Sequence, residues 1–362
     1  MVTIKAGALA DFVRDIFIKG GSSAAEGERI GKYLVGANLA GHDSHGVVRV
    51  PRYVQNKIDG SVIPDRKVAI KTETPVLAVV DGLYGFGQTV APQAVQIGID
   101  KCKAMGLSLV ALRNAGHIGR VGDWAEMAAA AGLVSIHFVN ASGSVLVAPF
   151  GGAQRRMSTA PFCAGIPRPG QGPIVLDSAT SVVAEGKVLV ASQGGKKLPD
   201  SALIGPDGKM GADPHLLYGE YTATGPRNHQ AGPGAIRAFG DHKGSGLALM
   251  CELLGGSLTG MCATGEGQRF GNGMLSIYVD PAVVDPESMF PADVARYITY
   301  FKSAKPATPG GEVLTPGEPE ERMRRQRLAE GVPLPDDTWA SIINAARQVG
   351  LDERRIQQVG AT

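Results

Sequence analysis

Residues 81–88 read DGLYGFGQ, between a β-branched run, VLAVV at 76–80, and a helical apolar pattern over about 88 to 104. Glycines caught between a strand and a helix are where a dinucleotide fingerprint belongs, so their spacing decides which kind of α/β fold this chain builds. Gly85 and Gly87 stand two apart, as that motif requires, but Val90 occupies the place of its third glycine and the strand, glycine, helix order is loose. The fingerprint fails. G-x-x-x-x-G-K-[ST], H-E-x-x-H and G-x-S-x-G are absent too, so P-loop, zincin and α/β-hydrolase chemistry lack support.

Outward from that stretch, short β-branched runs alternate with helical patterns from about Thr74 to Asn140: VLAVV, the 88–104 helix, SLVAL, a helix over about 121 to 131, and LVSIHFV. That is α/β material. From about 141 to 240 the chain is dense in Gly and Pro, with strand-like FCAGI and IVLD and a helical segment after Ser181; long loops of this kind suggest a site. Both ends are helical in pattern. Leu9, Phe12, Val13 and Ile16 mark a first helix that stops at Gly20-Gly21, and Ser23 with Glu26 forms a capping-box pattern opening a second that runs to Gly41. Val47, Val50, Val54 and Ile58 predict a third, with Pro51 in its first turn and Arg49 and Tyr53 on one face. Beyond the centre come a helix from Lys243 to Leu258, a strand at MLSIYV, a helix near 291 to 302, a Pro/Gly-rich connector at 306 to 319 and two terminal helices.

The 362 residues allow two domains or one large one, and 44% apolar content promises a sizeable core. Thirty-six basic against 34 acidic side chains give a net charge of +2 with no long run of one sign, which argues against a nucleic-acid partner. Cys102, Cys163, Cys251 and Cys262 lie far apart in apolar contexts and read as buried free thiols. The N-terminus is broken by Asp11, Arg14 and Asp15, and no run approaches the roughly 18 apolar residues of a membrane helix. The expectation is a soluble, cytoplasmic protein without a membrane partner.

Four stretches carry candidate chemistry. GHDSHG, residues 41–46, permits three readings: a metal site at His42, Asp43 and His45; a cap on the next helix by Asp43 and Ser44; or an acid/base centre, with His45 a proton donor and Arg49 a planar clamp for a carboxylate. Metal is the weak reading, because no third ligand cluster has a recognisable spacing. NAGHIGRVGDWAE, at 114–126, sets His117 between a strand and a helix, where Gly119 and Gly122 either let backbone approach a ligand or simply make a turn. FGDHKGSGLALMCELLGGSLTG opens a helix with His242 and Lys243; a lysine is slightly disfavoured there, so it either faces an anion or is solvated. LDSATS, at 176–181, follows an apolar strand, and its Asp177 could bind a ribose, orient a histidine or cap a helix.

Together these elements resemble the malate/L-lactate dehydrogenase family of non-Rossmann type, whose members include sulfolactate, ureidoglycolate and diketogulonate enzymes and cyclic-imine reductases for piperideine- and pyrroline-2-carboxylate. GHDSHGVVR, NAGHIGRVGDW, LDSATS with Glu185-Gly186-Lys187, GDHKGSGLALMCELLGGSLTG, and PGEPE with EGVPLP occur in the family's order over nearly the whole chain. The resemblance implies a non-Rossmann α/β fold in which a helical substrate and dimerisation domain, 1–72 and 241–362, surrounds a central α/β cofactor domain, 73–240. It implies NAD- or NADP-dependent reduction of a small 2-oxo acid or a related imine, in a homodimer, with no metal. His45 or His117 would be catalytic; Ser44, Arg49 and Tyr53 would line the substrate pocket. Leu176, Asp177, Ser178, Ala179, Thr180, Ser181, His242, Lys243, Gly317, Glu318 and Pro319 would hold the cofactor. On this reading a protonated imidazole faces the reduced cofactor, and Tyr53 hydrogen-bonds the oxygen that gains charge. Two positions depart from the family: Ala160 replaces an asparagine in STAPFCAGIP, and Ser245 stands where many relatives carry tyrosine. The rival classes are a metal-dependent hydrolase or lyase built on His42 and His45, and a non-catalytic small-molecule binder.

Overall fold

The computed structural model describes residues 1–194, 196–222 and 227–359. The chain opens with β1 (Val2–Ile4), α1 (Ala6–Lys19), α2 (Ala24–Leu39), two 3₁₀ turns (Asp43–His45 and Val47–Arg49) and α3 (Val50–Ile58). Next come β2 (Ala69–Glu73), β3 (Leu77–Asp81), α4 (Gly87–Met105), β4 (Leu107–Ala115), α5 (Gly122–Ala130) and β5 (Val134–Ser142). The Gly/Pro-rich region holds β6 (Val147–Ala148), β7 (Phe162–Ile166), β8 (Ile174–Ser178), α6 (Glu185–Ser192), β9 (Leu203–Ile204), β10 (Met210–Gly211), α7 (His215–Tyr218) and β11 (Ala235–Arg237). Then α8 (His242–Cys251) runs into a π-helical stretch (Glu252–Ser257), followed by β12 (Gly271–Val279), α9 (Pro281–Val284), α10 (Met289–Lys302), α11 (Glu318–Glu330), β13 (Val332–Leu334), α12 (Asp336–Gln348) and α13 (Glu353–Val359).

The central sheet has seven strands in the order β2-β3-β4-β12-β5-β7-β8. Only β3 and β4, joined by α4, pair in parallel; the other neighbours are antiparallel. A doubly wound fold needs a run of parallel strands with phosphate-binding turns at their ends. With a single crossover of that kind, the failure of the glycine fingerprint at 81–88 has its structural reason.

Three apolar cores follow from this layout. One joins both chain ends, packing Leu9, Phe12, Ile30 and Leu34 against Val332, Ile342 and Ile356. A second lies between the central sheet and α4 and α5, around Trp124 and Tyr278. The third, around Leu203, Tyr218, Ile236 and Cys251, underlies a four-stranded sheet, β10-β9-β11-β6, that the Gly/Pro-rich sequence did not reveal, since each strand has only two or three residues. The seam between the first two cores is polar. Ser23 caps α2 by accepting from the Glu26 N–H, but the Glu26 carboxylate turns inward to accept from Thr89 on α4 and from the Asp65 N–H, so only half of a capping box forms.

Four expectations are corrected. The boundary at 241 does not follow the sheet: β12 lies between β4 and β5 at its centre. The C-terminal region has three helices, α11 to α13, where two were expected. Cys102, Cys163 and Cys251 are buried and free, but Cys262 is exposed. Asp43 and Ser44 do not cap α3, whose N-cap position is Arg49. Among the described residues no helix is long and apolar enough to cross a membrane.

Candidate active site

At the exit of α2 the chain turns through two 3₁₀ turns, and buried Asn38 pins the loop. Its amide donates to Asp43 at 2.6 Å and accepts from the Val47 N–H at 2.8 Å. Asp43 also receives a two-pronged ion pair from Arg327 of α11, at 2.6 and 3.0 Å. His42 faces Glu320 at 3.2 Å, whereas His45 uses its Nδ1 on Ser44 Oγ at 3.0 Å. The two histidines therefore serve different partners, and among the described residues no group of three or more His, Cys, Asp or Glu side chains is placed to hold a metal ion. Arg49 donates through Nε to the Ser44 carbonyl at 2.6 Å, and one of its terminal nitrogens lies 3.7 Å from Glu185. Glu185 is held in turn by the Tyr218 hydroxyl at 2.8 Å. A Cβ on Gly186 would meet that of Ser44 at 2.6 Å, so only glycine lets α6 approach this loop.

The second histidine arrives from the end of β4. The 81–88 turn is built for this contact: Leu83 and Tyr84 take positive φ, the Gly85 carbonyl accepts from the Gly116 N–H at 2.8 Å, and a Cβ on Gly87 would sit 2.2 Å from the His117 carbonyl oxygen. The glycines that fail as a phosphate cradle thus pack one loop backbone against another. From the far side, Asn272 of β12 accepts the Ile118 N–H at 3.0 Å. His117 Nδ1 meets the Tyr53 hydroxyl at 2.6 Å, and Gln88 donates to that hydroxyl at 3.0 Å.

The His45 and His117 rings stack with centroids 5.6 Å apart and planes 14° from parallel. Burial, then the neighbouring His117 and Arg49 charges, hold His45 well below the ordinary imidazole range. Burial, then Arg49, lowers His117 to about 3. Burial thus favours the neutral form of both rings in the ligand-free chain. Tyr53 is buried against His117, with its hydroxyl engaged there.

Of the three segments expected at the cofactor, 176–181 neighbours the turn at 316–317 on one side and residues 238–239 on the other. Leu176, Asp177 and Ser178 end the edge strand β8, and the turn before α11, with Gly317 at φ +96, packs on that strand, where Pro316 accepts the Val175 N–H. Glu318 folds back to accept the Thr315 N–H at 2.8 Å and the Lys302 ammonium at 2.5 Å, and Pro319 stands in the first turn of α11. Thr180 is buried and receives the Phe239 N–H on its carbonyl; Ser181 bridges to Ala238, next to the start of α8; Ala179, just before them, is half-buried. There His242 and exposed Lys243 open the helix beside a cleft of ≈ 460 Å³ lined by Pro149, Phe150, Arg156, Met157, Ser245 and Leu249. Asp177 accepts the Gly122 N–H at the first residue of α5, at 2.7 Å, and burial raises its pKa. Ala160, the departure from the family's asparagine, is fully buried at φ +27, a backbone region that asparagine tolerates better than alanine.

The sequence did not single out Gln88, Tyr218, Asn272 or Asn38. Gln88 ends the very stretch tested as a fingerprint, and a buried amide one residue after a helix-opening glycine was its only signal.

The chain matches the malate/L-lactate dehydrogenase family over residues 4–343. It is 37% identical over 355 residues to hydroxycarboxylate dehydrogenase B of Escherichia coli (strain K12), covering 96% of this chain and 95% of that protein. A solved E. coli structure assigned to the malate/lactate dehydrogenases superposes with a TM-score of 0.91 at 35% identity, over 99% of both chains. The Δ1-piperideine-2-carboxylate reductase of Pseudomonas syringae pathovar tomato superposes with 0.77 at 26% identity, over 97% of this chain and 100% of that one. With mixed sheet, paired histidines and these likenesses in hand, the chain belongs to the malate/L-lactate dehydrogenase family and is an oxidoreductase of the 2-hydroxy acid/2-oxo acid type.

Proposed function

We propose that the chain reduces a small 2-oxo acid to its 2-hydroxy acid, with NAD or NADP as the cofactor, in the space bounded by Arg49, His45 and His117. One observation carries this: a guanidinium fixed through its Nε lies near two stacked imidazoles, close enough for its charge to lower the pKa of both, which is a carboxylate anchor beside hydrogen-bonding groups for an adjacent carbonyl. Arg49 keeps its terminal nitrogens for the substrate carboxylate, and Glu185 sets their direction. Ser44 holds both His45 and Arg49, so it fixes the distance between anchor and ring.

The residues at β8, the Gly317 turn and the start of α8 suit a dinucleotide. The cleft beside α8 offers apolar Phe150, Met157 and Leu249 for a base, with Arg156, His242 and the helix N-terminus for a phosphate. When bound, the nicotinamide supplies the hydride. This chain's part is to orient the acid, exclude water and manage the hydrogen bond and proton at the substrate oxygen.

The same anchor and rings suit a cyclic imine bearing a carboxylate, and the likeness to the piperideine-2-carboxylate reductase favours testing it. The test offers 2-oxo acids and cyclic imines with NADH and NADPH in turn, followed by nicotinamide absorbance. Oxidation of the cofactor by at least one 2-oxo acid is expected. Turnover of imines alone moves the reading to imine reduction, and no turnover of either class overturns it. A homodimer is part of the proposal: no residue of α10 is buried, and Met289, Tyr297, Tyr300 and Phe301 lie exposed on it. Sedimentation at twice the chain mass is the expected result.

A further inference from the structure

Gln88 is fully buried in the first turn of α4, with its amide against the back of the His117 loop. The side-chain nitrogen lies 3.0 Å from the Tyr53 hydroxyl and 3.4 Å from the His117 carbonyl oxygen. It fits there because Gly119, at φ +74, has no side chain: a Cβ would come within 3.1 Å of that nitrogen. The amide oxygen, Oε1, is buried and finds no hydrogen-bond partner among the described residues. Turning the amide over would not help, because its oxygen would then face a carbonyl oxygen and the amide nitrogen would be the orphan. The orientation with two donated bonds and one unpaired acceptor is therefore the better of two imperfect ones.

This orientation has a consequence three atoms away. With Gln88 donating to it, the Tyr53 oxygen is an acceptor, and its one proton must go to His117. The two acceptors in reach are Nδ1 at 2.6 Å and the carbonyl at 3.3 Å. The shorter contact takes it, while the second Gln88 N–H remains for the carbonyl. Nδ1 is then an acceptor, and in a neutral imidazole the hydrogen sits on Nε2. His45 has no such constraint: its Nδ1 partner is the Ser44 hydroxyl, which can either donate or accept by rotating.

We propose that Gln88 is a positioning residue: through Tyr53 it locks neutral His117 as the Nε2–H tautomer, so that His117 presents a hydrogen-bond donor to the substrate oxygen and His45 is left as the ring that exchanges a proton. A neutral imidazole can serve as such an electrophile where a carbonyl oxygen gains charge. The kinetic part rests on the proposed oxo-acid reduction, but the tautomer is a property of the resting protein and can be read without any substrate.

The experiment is nitrogen NMR of the full chain with ¹⁵N-labelled histidine at pH 7.5, with the His117 signals assigned by their loss in His117→Asn. The expected pattern is an unprotonated Nδ1 and a protonated Nε2. A protonated Nδ1 in the unsubstituted protein overturns the proposal whatever any variant does. Gln88→Leu frees the Tyr53 oxygen to accept from Nδ1–H, so the two tautomers should mix. Gln88→Glu, of the same shape but able to take the Tyr53 proton, should move the population further toward Nδ1–H. Turnover on an accepted 2-oxo acid should fall about 10-fold in the leucine variant and about 10²-fold in the glutamate variant with KM little changed, below the larger losses known for a wrong-tautomer catalytic histidine. A glutamate variant with unaltered ¹⁵N shifts and full turnover overturns it too. If wild type shows the Nε2–H tautomer and no 2-oxo acid is turned over, the substrate reading has failed and the tautomer assignment stands.

Discussion

His117 and His137 sit in neighbouring parts of the central sheet, one just past β4 and the other within β5, and burial takes each to a pKa of about 3. By titration alone they are twins. Their surroundings differ. His137 is fully buried, with Nδ1 on Ser276 Oγ at 2.8 Å and Nε2 on Ser135 Oγ at 3.1 Å, and its ring lies edge-on to Tyr278. Both nitrogens are spent on the fold. His117 commits only Nδ1, keeps an accessible edge, stacks on His45 and feels Arg49. A depressed pKa therefore marks burial, and an uncommitted nitrogen beside a fixed cation marks the site.

Substitution is the strongest way to break that pairing. His117→Gln should cut turnover by about 10² to 10⁴, the usual scale for losing a positioned acid or base, with the melting temperature nearly unchanged. His137→Leu should do the reverse, leaving Ser135 and Ser276 unpartnered at about 1–3 kcal/mol each and lowering the melting temperature, while folded enzyme turns over normally. A His137 variant that melts normally but works slowly would erase the distinction. Next in size is Arg49→Leu. Losing a charge-assisted pair to the carboxylate should raise KM for a 2-oxo acid about 10²-fold. It should also raise the His117 pKa, because the Arg49 charge is the second cause of its depression, and leave His137 where it is. Both rings can be followed in one NMR titration.

How far the sequence could see this depends on the kind of signal. His45, Arg49 and His117 are legible because imidazole and guanidinium beside glycine are chemically specific residues in short motifs. Most of the helices at both ends and the strands β3, β4, β5, β7 and β8 are legible because their apolar patterns are strong. Gln88 and Asn272 are not, since an amide has no pattern until β12 and the 81–88 turn are folded onto the same loop. The place of β12 is equally hidden: nothing local in GNGMLSIYV says that it inserts between β4 and β5, whose paired residues lie more than 120 positions earlier in the chain. Asp177 is a motif residue whose partner at the N-terminus of α5, the Gly122 N–H, lies 55 positions away and has no sign in its own motif.

The finest separation of the two rings comes from acid. His137 has an ordinary value of 6.5 and a folded value of about 3, so an unfolding chain takes up a proton that the native ring refuses. The stability held by the neutral ring is complete above pH about 6.5 and is lost progressively as pH falls toward about 3. At pH 5 the gap is 1.5 units, about 2 kcal/mol at roughly 1.4 kcal/mol per unit. His137→Leu does not titrate, so its stability deficit relative to wild type, measured by urea unfolding, should shrink by about that amount between pH 7 and pH 5. A deficit that stays constant with pH would mean that His137 is not held neutral by burial. Adding a 2-oxo acid should leave this His137 term untouched, while at His117 the incoming carboxylate offsets Arg49 and raises the ring's pKa. Ligand-induced movement of both rings, or of His137 alone, would place the carboxylate somewhere other than beside Arg49.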